Sequence, residues 1–212
     1  MTEGVAHVVA AQPLERIYEV MGLFCHPIAE QLVIIQRKGA TATDDDRRKA
    51  AGNPNYITIN IDLVELLTIF IQTVAPYVEP THEHPVMDLL RDLWPVLCGT
   101  LDDFGDTQFV SESIAKNFKN IIYSYRVHSL PLLEPMAEKL VLSFEKYEYG
   151  CFLWVSGTIV RQFGHEVVPP DIRYGIWKFV ERQCMNTFRL FEKNKPNDIP
   201  DRTSKHDPTN VK

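Results

Sequence analysis

The chain has 212 residues, 45% of them hydrophobic and 24% charged, with a formal net charge of -6. That balance belongs to a folded chain of one or two ordinary domains and excludes a disordered one. The negative charge argues against a polyanionic ligand, because nucleic-acid binding needs a concentrated basic footprint, and it suits a basic protein partner instead.

In chain order, residues 3 to 11 (EGVAHVVAA) read as the tail of a helix that ends sharply before Pro13, as expected of a chain that starts inside a larger protein. From Pro13, LERIYEVMGLFC sets Leu14, Ile17, Tyr18, Met21 and Phe24 or Cys25 on one face. Pro27 is then expected to bend or break the run, giving two helical segments joined at a kink. Residues 39 to 55 (GATATDDDRRKAAGNPN) carry no apolar periodicity and are expected to form an exposed loop. ITINIDLVELLTIFIQTVAPYV predicts a strongly apolar helix that ends near Pro76, and Thr81 is placed to cap a helix starting at His82.

The stretch from residue 82 to 103 organises the chain. Val86, Leu89, Leu90, Leu93, Val96, Leu97 and Leu101 recur at three-and-four spacing, while Asp88, Arg91, Asp92 and Asp102 fall on the other side. After a turn at Phe104 to Asp106, the same pattern runs through Phe109, Ile114, Phe118, Ile121, Ile122 and Tyr125. LPLLEPMAEKLVLSFEKY, YGCFLWVSGTIVRQFG and PPDIRYGIWKFVERQCMNTFRLFEK supply three more helices. No alternating strand pattern appears. First members of the pairs begin near Ile57, Thr107 and Tyr149, and second members near His82, Leu130 and Pro169. These steps bracket the ~40–47-residue period of HEAT-type repeats. The predicted architecture is all-α: a HEAT-repeat solenoid of antiparallel helix pairs over residues 1–193, about four repeats with the first partial. Residues 194–212 are expected to be a polar, disordered tail. Trp94, Phe118, Phe144, Trp154, Trp177 and Phe188 are expected to fill the layers between helices.

The side chains suggest no chemistry. His82 and His84 lack further ligands at metal-site spacing, no glycine-rich phosphate loop follows a strand, and no nucleophile signature is present, so no metal, cofactor or catalytic residue is expected. Cys25, Cys98, Cys151 and Cys184 are widely spaced within apolar helical runs, which predicts reduced, structural thiols in a reducing compartment. No signal peptide is recognisable, and no run is expected to reach the ~18 apolar residues of a membrane span. The aromatic groups YSYR (123–126) and YEY (147–149) either stack on a partner's bases or arginines or pack at repeat edges. Asp88, Asp92, Glu134, Glu138 and Glu145 lie three to seven residues apart on second-member helices. They are the candidate partner-binding residues, expected to form an acidic strip along a concave side.

Together HPVMDLLRDLWPVL, YGCFLWVSGTIVRQFG and EGVAHVVAAQPLERI resemble the middle-to-C-terminal HEAT repeats of the transportin-SR, or transportin-3-like, branch of the importin-β (karyopherin) family, in a form that looks fungal. The resemblance covers residues 3 to 198 and lies in the order and spacing of these blocks. It implies part of a nuclear import receptor, not an enzyme, that shuttles between cytoplasm and nucleus. Such receptors carry serine/arginine-rich or related RNA-binding proteins past nucleoporins and release them to Ran-GTP, without binding nucleic acid or membrane directly. The family's Ran-binding repeats and its arginine-rich helix match no residues here, so neither site transfers. The alternative is a HEAT scaffold that holds a multisubunit complex together.

Overall fold

The computed structural model describes residues 1–40, 54–164 and 168–194. In these residues the chain forms α1 (Thr2–Ala10), α2 (Leu14–Ala40), α3 (Pro54–Thr73), α4 (Val86–Phe104) and α5 (Gln108–Tyr125). A 3₁₀ turn (Arg126–Ser129) then leads to α6 (Leu130–Tyr147), α7 (Gly150–Phe163) and α8 (Pro170–Lys193). No strand occurs among the described residues. Alternate helices share a layer: α1, α3, α5 and α7 stack in sequence, and α2 on α4 and α6 on α8 build the opposite layer. First members start at residues 54, 108 and 150 and second members at 86, 130 and 170, so the repeat steps stay near those of a HEAT array.

The layers form because each helix carries an apolar face that it cannot bury alone. Leu89, Leu90, Leu93, Leu97 and Leu101 of α4 are fully buried, as are Val110, Ile114, Phe118 and Ile121 of α5. Each such side chain contributes roughly 1.5–3 kcal/mol. Between α3 and α5 the seam is also polar. Asn117 donates through Nδ2 to Thr68 Oγ1 at 2.9 Å, and the Tyr125 hydroxyl donates to the carbonyls of Ile71 and Val74 at 3.2 and 3.1 Å. The Tyr125 hydroxyl thereby satisfies carbonyls that the end of α3 leaves without intrahelical partners. Between α2 and α4, Gln36 donates to the Val96 carbonyl at 2.8 Å and to Thr100 Oγ1 at 2.9 Å. Gly99 makes room for that side chain, since a Cβ there would lie 3.0 Å from Gln36 Oε1.

Several expectations need correction. Pro27 lies inside one continuous α2 and does not divide it. The ring removes one backbone donor, but Met21, Cys25, Ala29 and Leu32 remain buried on both sides of it, and that packing holds the helix together. The expected loop shrinks at both ends, because Gly39 and Ala40 belong to α2 and Pro54 and Asn55 to α3; its residues 41–53 lie outside the described residues. Of the expected tail, only Asn194 is described. The helix expected at His82 starts at Val86: His84 accepts the Val86 N–H on Nδ1 at 3.2 Å, while Thr81 meets His82 Nδ1 at 3.3 Å and caps no helix.

The strongly apolar helix expected here is α3, and it is longer than the expected limit on apolar runs. Asn55–Thr73 is long and apolar enough to cross a membrane, yet it packs among α1, α2, α4 and α5 with Val64, Leu67, Phe70 and Ile71 buried. Its composition follows from contact with four neighbours. Phe118 and Phe144 do fill the layers, and Trp94 lies partly buried with its ring 4.9 Å from that of Phe118. Trp154, Trp177 and Phe188 are exposed instead. Trp177 and Phe188 point away from α6 and α7, the helices against which α8 packs its other face.

Candidate partner-binding surface

The five acidic candidates sit on α4 and α6, in one layer, and divide into two groups. Asp88 pairs with Arg91 one turn along α4, and Arg91 also reaches Glu83 at 3.6 Å. Asp92 faces His26 of α2 at 3.9 Å. On α6, Glu138 receives Nη1 of Arg182 on both carboxylate oxygens at 3.0 Å, and Glu145 takes the same guanidinium at 3.3 Å together with Asn186 Nδ2 at 2.9 Å. Between the groups, Lys139 of α6 reaches Asp102 of α4 at 2.6 Å. Glu134 has no ion pair among the described residues.

The pairing of α6 with α8 creates a groove of about 740 Å³. Its floor includes Leu133, Val141, Ile159, Ile176 and Phe179, and its rim carries Glu134, Glu138, Asp171 and the cations Lys178 and Arg182. The local reasons are simple. Glu134, Glu138 and Glu145 are spaced by four and seven residues, so they share one flank of α6. Asp171 follows Pro170 in the first turn of α8, where a carboxylate is favoured by the unpaired N–H groups. Hydrogen bonds from Arg182 to Glu138 hold the guanidinium above its already high usual range, against the opposing effect of burial. An apolar floor beside the carboxylates of Glu134 and Asp171, which Arg182 does not occupy, suits a side chain with a hydrocarbon stem and a cationic head.

Arg182 and Asp171 were missed in the sequence. Asp171 carried a usable signal, an acid just inside a proline-marked helix start. Arg182 carried none, because its partners lie 44 and 37 residues earlier.

The remaining candidates are structural in their contacts. His84 is buried, with Nε2 at 3.3 Å from the Pro76 carbonyl and Nδ1 on the Val86 N–H, and His82 turns to Glu79 at 3.9 Å. The tyrosines of YEY pack at a repeat edge: the Tyr147 hydroxyl donates to the Leu101 carbonyl at 3.0 Å and the Tyr149 hydroxyl to the Asp106 carbonyl at 2.5 Å. In YSYR, Tyr125 is buried and Tyr123 exposed. All four cysteines are free, and burial pushes the Cys25 thiol up to about 12 and those of Cys98 and Cys151 up to about 11. Cys184 departs from the expectation, since it is exposed on α8.

With this geometry in place, the chain can be compared with known proteins. The sequence profile of the transportin-3/importin-13 fourth TPR domain matches residues 84–191. An uncharacterized protein of Schizosaccharomyces pombe is 34% identical over 201 residues, which cover 95% of this chain and 20% of the relative. The mRNA transport regulator MTR10 of Saccharomyces cerevisiae is 27% identical over 190 residues, covering 81% of this chain and 19% of MTR10. Among solved structures, importin13 in its cytosolic state superposes with a TM-score of 0.73 over 90% of this chain and 20% of that one, at 16% identity, a likeness of fold. The chain thus spans about a fifth of the length of these relatives.

Proposed function

Because the chain belongs to the transportin-3/importin-13 family of importin-β-type nuclear transport receptors, we propose that it is part of a receptor that carries serine/arginine-rich or related RNA-binding proteins through the nuclear pore. In this reading the whole receptor engages nucleoporins, moves between cytoplasm and nucleus, and releases its cargo to Ran-GTP. The part played by these residues is to hold a basic cargo segment in the α6/α8 groove. One observation carries that assignment: in a groove of about 740 Å³ with an apolar floor, the carboxylates of Glu134, Glu138 and Asp171 outnumber the cations Lys178 and Arg182 on the rim. A lysine or arginine side chain can lay its stem on the floor and its head among the acids. Asp88 and Asp92 extend the acidic character along α4 and add to long-range attraction of the same cargo.

The test uses the full-length receptor. Cargo affinity is measured with and without GTP-bound Ran, across a salt series, for the natural sequence and for a variant in which Asp88, Asp92, Glu134, Glu138 and Glu145 are replaced by lysine. Release by Ran-GTP is expected of a transport receptor and not of a static scaffold. The lysine variant should bind cargo more weakly and with a shallower salt slope. Retained affinity and an unchanged slope in a folded variant would remove these acids from the binding surface.

A further inference from the structure

A second groove lies at the C-terminal end of the α3–α5 seam. The loop of residues 74–85 closes over the end of α5 and the 3₁₀ turn, leaving a space of about 740 Å³ lined by Pro76, Tyr77, Lys119, Tyr123, Arg126 and His128, among others. Its chemistry is the reverse of the α6/α8 groove. Neither Lys119 nor Arg126 has a carboxylate partner among the described residues. Neither acid of the loop lines the groove: Glu79 turns to His82 at 3.9 Å and Glu83 to Arg91 at 3.6 Å.

Four backbone carbonyls at the site are already engaged. Tyr125 donates to the carbonyls of Ile71 and Val74, His84 meets that of Pro76, and His128 Nε2 lies 3.1 Å from that of Val78. Beside the neutral side chains of Gln72, Asn120 and Ser124, the groove offers two cations and two tyrosines at its surface. Lys119 Nζ is held 3.9 Å above the Trp154 ring and 5.4 Å from the Tyr123 ring, which fixes its position without neutralising it. Arg126 has a positive φ (φ 46°, ψ -122°), with its carbonyl tied by Ser129 Oγ at 2.6 Å. Such a conformation is costly for arginine and persists only where the surroundings enforce it. Tyr77 stands 83% exposed at the rim.

We propose that this groove docks an acidic, extended peptide segment of a protein partner, with its carboxylates on Lys119 and Arg126 and its chain along Tyr77 and Tyr123. Two cations separated by tyrosines on a chain of net charge -6 match alternating carboxylates on a peptide. They do not match a nucleic-acid strand, which needs a continuous basic track.

The test is fluorescence anisotropy of the whole chain with a fluorescein-labelled peptide of alternating glutamate and tyrosine. The same peptide with lysine for glutamate and a single-stranded oligonucleotide serve as competitors. The acidic peptide is expected to bind, more weakly as salt rises. Lys119→Glu and Arg126→Glu are each expected to weaken binding by roughly three- to tenfold. Arg126→Gly should weaken it likewise while relieving the backbone, which separates loss of charge from loss of fold. Binding that is absent in the natural sequence, unchanged in all three variants, matched by the lysine peptide or exceeded by the oligonucleotide would overturn the proposal.

Discussion

Arg182 of α8 presents Nη1 to both carboxylate oxygens of Glu138 on α6 at 3.0 Å, and the same guanidinium reaches Glu145 two turns further along. One cation therefore closes one side of the α6/α8 groove and cancels part of its acidity.

Replacing Arg182 with alanine should separate these two roles. The side chain is about half exposed, so the loss of folding stability should stay within about 1 kcal/mol, read by urea denaturation. Affinity for an arginine-rich peptide should rise, since Glu138 would lose its cation and Glu145 would keep only its neutral partner Asn186. A fall in affinity would mean that Arg182 helps to build the groove.

Tyr125 predicts a larger stability effect. Its hydroxyl is buried and donates to two carbonyls at the end of α3. Tyr125→Phe keeps the ring but leaves those acceptors without a donor, at an expected cost of about 1–3 kcal/mol in equilibrium unfolding. A variant as stable as the natural sequence would show that water replaces the hydroxyl there.

The pH dependence should come from His84. Burial is the main cause that lowers its pKa; the Pro76 carbonyl opposes this and His128 adds to it. A neutral ring satisfies both sides, donating to Pro76 and accepting from Val86, whereas a protonated ring has no acceptor for the Val86 N–H. The native state then binds fewer protons than the unfolded state, whose value is ordinary at about 6.5. Stability from this group is complete above that value and is lost as pH falls through the folded value. Urea midpoints should drop between about pH 7 and 5 in the natural sequence and less in His84→Gln. An equal drop in both would assign the effect elsewhere.

What the sequence could and could not convey follows from the reach of periodicity. Leu89, Leu93 and Leu97 were legible as core because three-and-four spacing fixes which side chains share a face. The same pattern cannot say which face meets a neighbour, so Trp177 and Phe188 were assigned to the layers when they face outward. Pro27 and Thr81 were read by local rules that packing and the His84 side chain override. Glu134, Glu138 and Glu145 were visible as one flank of α6, but the cation that pairs with two of them belongs to α8, and no within-helix rule reaches that far.

The outward face of α8 supports the last prediction. Tyr174, Trp177, Phe188 and Phe191 are each about two-thirds exposed, and their spacing lines them along one side of the helix, away from buried Ile176, Phe179, Gln183 and Asn186. Four large aromatic side chains on one helix are more than an isolated soluble surface usually shows, and such patches drive association. In a solenoid they are the surface on which a further helix pair stacks. Trp177→Glu with Phe188→Glu should therefore change the melting temperature little, because neither ring lies in the described core, while it reduces concentration-dependent light scattering. Fusing a further helix pair after α8 should raise the melting temperature and suppress scattering in the natural sequence. That gain should disappear when the two glutamates are present. A melting temperature that the extension leaves unchanged would show that this face does not stack.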